Sequence, residues 1–142
     1  MTISEIELAW AAGLFEGEGT VTITGVGGDR PFTRIRVAVS STDIDVVNFF
    51  QERWPIGKLY TWRPSNSKNA KNATMWYLSC KRAGLFLSEI LPYIRTPRVR
   101  KKIELALEAQ SLRRFGTHVG TDYKSKQFEL MAKMRELNKR GT

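Results

Sequence analysis

Ala9-Trp10-Ala11-Ala12-Gly13-Leu14-Phe15-Glu16-Gly17-Glu18-Gly19 is the stretch on which the fold turns. It closes a helix that opens at Ser4. Ser4-Glu5-Ile6-Glu7 fits a capping box, in which a hydroxyl and a carboxylate satisfy main-chain donors left unmet in a first turn. The glycines put the end of the helix near Gly17. Glu16 and Glu18 therefore sit where the helix dipole is negative and the last carbonyls lack partners, an end that stability would furnish with Lys or Arg. Acids held there on a tight glycine turn suggest a bound cation. Ala9, Gly13 and Gly17 recur every four residues, a stripe of small side chains on one side. Two arrangements fit that stripe: close approach by a second helix, or a helix lying tightly on its own sheet.

Outward from this stretch, Thr20-Val21-Thr22-Ile23-Thr24 and Arg34-Ile35-Arg36-Val37-Ala38-Val39-Ser40 alternate, and a glycine-rich turn at 25–29 joins them as a hairpin. One face is apolar (Val21, Ile23, Ile35, Val37, Val39). The other carries Thr20, Thr22, Thr24, Arg34, Arg36 and Ser40. Thr42-Asp43-Ile44-Asp45 opens a second helix that must stop near Pro55, its acids favoured by the dipole of a first turn. A second hairpin pairs 58–63 with 74–80 through a polar, basic loop at 65–72. Lys58, Tyr60 and Trp62 share a face, as do Met75, Tyr77, Ser79 and Lys81, which leaves Trp76, Leu78 and Cys80 for the core. A short helix over 85–91 ends at Pro92, and Val99, Ile103, Ala106 and Leu107 form a helical stripe beyond Pro97. Phe128, Met131 and Met134 mark a last helix after a loop at 115–121. This order predicts an α+β fold, with sheet on one side and helices on the other.

With 142 residues, 42% of them hydrophobic, the chain can build one real core, which excludes a disordered tail or a fibre. It reads as one domain over 1–142, with a core at 5–112 and a C-terminal helical extension at 113–142. Lys plus Arg number 23 against 14 Asp plus Glu, a formal +9 that points to a polyanionic partner. Most of the excess lies in 98–140, where 12 basic residues face 5 acidic ones. Cys80 has no second cysteine to pair with, and His118 alone gives no zinc-site spacing; it reads as a loop residue without chemistry. No apolar run is long enough to span a bilayer, and Glu5 and Glu7 stand where a targeting peptide would be basic. The expectation is a reduced, intracellular protein without a membrane role, in a bacterial, archaeal or viral-host cytoplasm or in an organelle.

Ala11-Ala12-Gly13-Leu14-Phe15-Glu16-Gly17-Glu18-Gly19 resembles the signature of the LAGLIDADG homing endonucleases, with Ala11 for the first Leu, Phe15 for Ile and Glu for both Asp. The order of elements over 5–112 is similar to that family's αββαββα domain with its saddle-shaped antiparallel sheet. The resemblance implies that motif helices of two domains pack through their small residues, here Ala9, Gly13 and Gly17. It also implies that the last acid of each motif binds a divalent metal at the scissile phosphates. Carried over, that acid is Glu18, the Gly17 carbonyl becomes a further oxygen donor, and Glu16 lies off the metal. Hard oxygen ligands suit Mg²⁺; Mn²⁺ is expected to substitute, and Ca²⁺ to bind without supporting cleavage. One motif occurs, with no internal repeat, so cutting two strands requires a homodimer and a near-palindromic duplex target.

The Thr20, Thr22, Thr24, Arg34, Arg36, Ser40 face suits a major groove, and in the family such a sheet is the DNA saddle. Lys58, Tyr60, Trp62, Met75 and Tyr77 extend the expected contact surface, with Lys68, Lys71 and Arg100 on phosphates. Family enzymes place a Lys near the start of the helix after the second hairpin and a polar residue after the first, around the attacking water. Here those places fall on Pro97 or Arg98, depending on the alignment, and on Ser41. Arg98 is expected to stabilise transition-state charge, and Arg100 to do the same or to contact the DNA backbone. The implied activity is site-specific double-strand cleavage by an enzyme of a mobile element, an intron or a free-standing gene. Two other readings keep the fold without cleavage: a maturase holding intron RNA, and a DNA-binding regulator.

Overall fold

The computed structural model describes residues 3–26, 32–63, 71–113 and 121–139, and it begins as the capping signal dictates. Helix α1 spans Glu5–Glu18, with the Ser4 hydroxyl accepting from the Glu7 N–H at 3.1 Å and the Glu7 carboxylate accepting from the Ser4 N–H at 3.5 Å. Ala11, Ala12 and Phe15 are its buried face. Ala9, Gly13 and Gly17 are exposed, and a Cβ on Gly13 or Gly17 would meet nothing within 4 Å. The small stripe thus does not lie on its own sheet, and that arrangement is excluded. Gly19 ends the helix, donating its N–H to the Phe15 carbonyl; a Cβ there would fall 2.3 Å from Phe15 Cδ1, which only glycine avoids.

The chain continues through β1 (Gly19–Val26), β2 (Phe32–Ser41), α2 (Ile44–Arg53), β3 (Lys58–Trp62), β4 (Ala73–Ser79), α3 (Cys80–Ile90), a 3₁₀ turn (Leu91–Tyr93), α4 (Pro97–Arg113) and α5 (Thr121–Asn138). The four strands form one antiparallel sheet in the order β1-β2-β4-β3. Its register sets Val21 against Val37, Ile23 against Ile35, Val37 against Leu78 and Val39 against Trp76, so one face is apolar and covered by the helices. Phe50, Trp54, Trp76 and Phe86 interlock there, with centroids 4.7 Å apart for Trp54–Phe86 and 5.1 Å for Phe50–Trp76. Asp43 caps α2 by accepting from the Asp45 N–H at 3.1 Å, and the helix stops at Trp54, ahead of Pro55. An ion pair between Arg53 and Glu7 and an edge-to-face contact of Trp10 with Phe49 at 4.4 Å tie α1 to α2.

Three expectations need correction. Cys80 does not extend β4 into the core. It turns with φ 55° and opens α3, which also removes Lys81 from the row of Met75, Tyr77 and Ser79. Gly25 and Val26 belong to β1 rather than to a turn, while 27–29, like Lys68 and His118, lie outside the described residues. The α4 stripe is broader than expected: Leu105 and Ala109 are buried along with Ile103 and Ala106, because α4 packs against both the sheet and α5.

Helix α5 covers β1, with Leu130 and Met134 buried and Phe128 and Met131 beside Gly25. Polar contacts fasten it at both ends. Near its start the buried Gln127 Oε1 accepts from the Thr33 N–H at 3.2 Å and from its hydroxyl at 2.9 Å. At its end Asn138 Nδ2 donates to the Val21 carbonyl at 2.9 Å. Among the described residues no helix is long and apolar enough to cross a membrane.

Candidate nucleic-acid interface and metal centre

Strand alternation places the polar face of the sheet opposite the helices, and the register lines its residues up in rows. One row runs Thr20–Ala38–Tyr77–Lys58, the next Thr22–Arg36–Ser79, and beyond it Thr24 stands against Arg34. On the other side Ser40, Met75 and Tyr60 follow, then Trp62 against Ala73. The structure thus collects Thr20, Thr22, Thr24, Arg34, Arg36, Ser40, Lys58, Tyr60, Trp62, Met75 and Tyr77 on one surface. Arg36 is held in place by Met75 Sδ, 3.6 Å from its Nη2, and by the Tyr77 ring, whose centroid lies 4.6 Å from its Cζ. Tyr60 and Trp62 stack with centroids 6.0 Å apart, a flat aromatic platform at the β3 edge in which Tyr60 is exposed and Trp62 half-buried. Lys71 is exposed near the start of β4.

The two acids of the α1 end separate sharply. Residues two apart on a helix point about 200° away from each other, so Glu16 and Glu18 cannot share a ligand. Glu16 Oε1 accepts from the Arg95 N–H at 2.6 Å, pinning the segment that leads into α4. That contact accounts for one acid at the negative end of a helix. Glu18 is exposed and has no hydrogen-bond or ion-pair partner among the described residues, at the junction where α1 meets β1 and beside Thr20 of the polar face. Among those residues no group of three or more His, Cys, Asp or Glu side chains could hold a metal ion. At the α1–β1 junction one chain therefore offers one unpartnered carboxylate and main-chain oxygens, a hard donor set that fits a divalent cation only when further oxygens complete it.

Ser41 ends β2 on the helix-covered side of the alternation, its Oγ accepting from the Asp43 N–H at 3.0 Å. Arg98 and Arg100 face main-chain carbonyls. Arg98 Nε donates to the Leu137 carbonyl at 2.9 Å and its Nη2 to the Leu137 and Lys139 carbonyls, so it closes the C-terminal end of α5. Arg100 Nη2 donates to the Ile94 carbonyl at 2.6 Å. Lys102, one turn beyond Arg98, has its pKa lowered by burial and by the Arg98 charge. Sequence reasoning missed the last turn of α5, where Arg135 and Lys139 join Thr22 and Thr24 around a groove of about 300 Å³. Two cations in a polar helix end carry no periodic signal; only the packing of α5 on β1 brings them to the sheet.

This architecture is the LAGLIDADG homing-endonuclease fold. The homing endonuclease I-CvuI, solved on DNA with Mg²⁺, superposes with a TM-score of 0.77 at 16% identity, over 97% of this chain and 87% of its own. A further I-CvuI–DNA crystal contains Ca²⁺. The group I intron-encoded homing endonuclease I-CeuI, also on DNA, gives 0.74 at 14% identity, over 100% of this chain and 71% of its own. The LAGLIDADG homing endonuclease I-LtrWI, bound to target DNA, gives 0.72 at 15% identity over 94% of this chain but 46% of its own. No family model and no curated protein matches the sequence.

Proposed function

We propose that the protein is a homodimeric, divalent-metal-dependent DNA endonuclease of a mobile element, which hydrolyses one phosphodiester in each strand of a long, near-palindromic site. The observation that carries this reading is the unpartnered Glu18 carboxylate at the α1–β1 junction, next to a sheet face of Arg, Lys, Thr and aromatic side chains. Glu18 and the Gly17 carbonyl would hold the cation, Mg²⁺ or Mn²⁺, with Ca²⁺ bound but unproductive. When bound, such an ion neutralises charge that builds on the phosphate during displacement. Thr20, Thr22, Thr24, Arg34, Arg36 and Ser40 read or grip the groove, and Lys58, Tyr60, Trp62, Met75, Tyr77 and Lys71 extend the contact along the duplex. Water is the nucleophile. Ser41 ends β2 on the helix-covered side, and its hydroxyl, which accepts from the Asp43 N–H, still has a proton to donate. Arg98 serves as a positioning residue that holds the C-terminal end of α5 against the start of α4.

Dimerisation through α1 is supported by its exposed face. Ile6 (82% exposed), Ala9, Trp10 (48%), Gly13 and Gly17 fall within one helical sector, an apolar strip left exposed in the single chain apart from the side of Trp10 that packs on Phe49. The chain spans 87% of I-CvuI and 46% of I-LtrWI, the ratio expected if half of the longer chain stands in for a second copy here. Gly13→Leu separates association from folding. A Cβ at this exposed position meets nothing within 4 Å, so stability should hold while sedimentation shows a monomer. A Gly13→Leu dimer would reject the α1 interface. For the chemistry, Glu18→Gln with Mg²⁺ and a library of palindromic duplexes should retain binding and lose all nicking. Nicking by Glu18→Gln, or binding without nicking by the wild type, would reject the assignment.

A further inference from the structure

At one corner of the polar face the sheet is incomplete. Strand β3 begins at Lys58, opposite Tyr77, so no β3 residue stands beside Ser79, where β4 gives way to α3. The space is a pocket of about 130 Å³ lined by Ile56, Lys58, Tyr77, Leu78, Ser79 and Arg82. Lys58 and Arg82 converge on it, and neither has a hydrogen-bond or ion-pair partner among the described residues. No acid lines the pocket to offset two like charges. The Ser79 hydroxyl makes no capping bond to α3, and Tyr77 presents its phenol beside Lys58 while Arg36 lies over its ring. Two cations and two hydroxyl-bearing side chains around a concavity of about 130 Å³ match a tetrahedral oxyanion, and Ile56 gives the sugar beside it an apolar neighbour.

We propose that this pocket grips one backbone phosphate of the duplex bound on the sheet, an inference that rests on the DNA-binding reading above. The pocket lies three strand spacings from Thr20, about 14 Å across the sheet, on the flank away from Glu18. A contact there carries no base information but fixes the angle at which the duplex crosses the sheet. Arg82 is its distinguishing residue, since Lys58 and Tyr77 already belong to the polar face.

The test is the salt dependence of duplex binding, followed by fluorescence anisotropy across a KCl series with a target and a scrambled sequence. Arg82→Gln should flatten the slope of log K against log[KCl] and weaken both duplexes by the same factor. The double variant Lys58→Gln/Arg82→Gln should lower the slope by about one, the value for one phosphate. Lys133→Gln, which removes the same charge from a lysine paired with Glu129 at 3.3 Å, should leave the slope unchanged. A loss of two in the double variant, an unaltered slope, or weakening confined to one sequence would overturn the single-phosphate pocket while wild-type binding keeps the DNA reading intact. A wild-type chain that binds no duplex overturns both.

Discussion

Gly19→Ala probes the junction that aims Glu18. The backbone there, φ −87° and ψ 159°, is open to any residue, so conformation alone would make the change stabilising by about 0.4–1 kcal/mol through the unfolded chain. Space decides otherwise. The new Cβ would lie 2.3, 2.5 and 2.7 Å from Phe15 Cδ1, Cε1 and Cγ, where ordinary carbon contact begins at 3.4 Å. Phe15 is 1% exposed and locked edge-to-face on Phe86 at 5.5 Å, so the ring has no free direction of retreat. Overpacking of this kind costs about 1–3 kcal/mol, and the net expectation is destabilisation. Urea unfolding followed by tryptophan fluorescence measures it, and a double-mutant cycle with Phe15→Ala isolates the cause. With the ring gone, Gly19→Ala should become neutral or stabilising, a coupling of about 1–3 kcal/mol, because the unfolded-chain gain is common to both backgrounds and cancels. Equal costs in both backgrounds would refute the steric account.

Two further outcomes follow from named contacts. Arg98→Gln should destabilise the fold by about 1–2 kcal/mol and speed amide exchange in the last turn of α5, because it removes charged donors from the Leu137 and Lys139 carbonyls. Slower cleavage with unchanged exchange would instead make Arg98 a charge stabiliser at the phosphate. The Arg53 guanidinium bonded to Glu7 holds that carboxyl below its ordinary value. A depressed pKa contributes stability that is present above the unfolded value of about 4.3 and lost as pH falls through the folded one. The stability difference between the wild type and Arg53→Gln should therefore be flat at neutral pH and shrink on acidification, as pH-dependent urea titrations would show.

Local signals carried much of the fold. The Ser4 and Asp43 caps, the alternation of both hairpins and the split between a polar and an apolar sheet face were legible, because each depends on neighbours in sequence. Cys80 was misread because Trp76, Leu78 and Cys80 keep a period of two to the last residue, and nothing local announces a turn through positive φ. Gln127 left no trace, since a polar residue inside an apolar stripe acquires its meaning only from Thr33, 94 positions away. Which side of α1 the stripe of Ala9, Gly13 and Gly17 faced was likewise undecidable from spacing, and burial of Ala11, Ala12 and Phe15 resolved it. Arg98 carried an unread clue: a cation in a helix first turn opposes the dipole and calls for an acceptor elsewhere.

Strand β1 is an outer strand of the sheet, and the Val21 carbonyl on it is met by an amide 117 residues later. During synthesis the ribosome therefore releases a nearly finished sheet whose flank stays bare until residue 138 has emerged. For that interval the flank is a template for any other extended segment, including the same strand of a neighbouring nascent chain. Shortening the protein by its last few helical turns should thus be felt first as aggregation during expression rather than as a lower melting point.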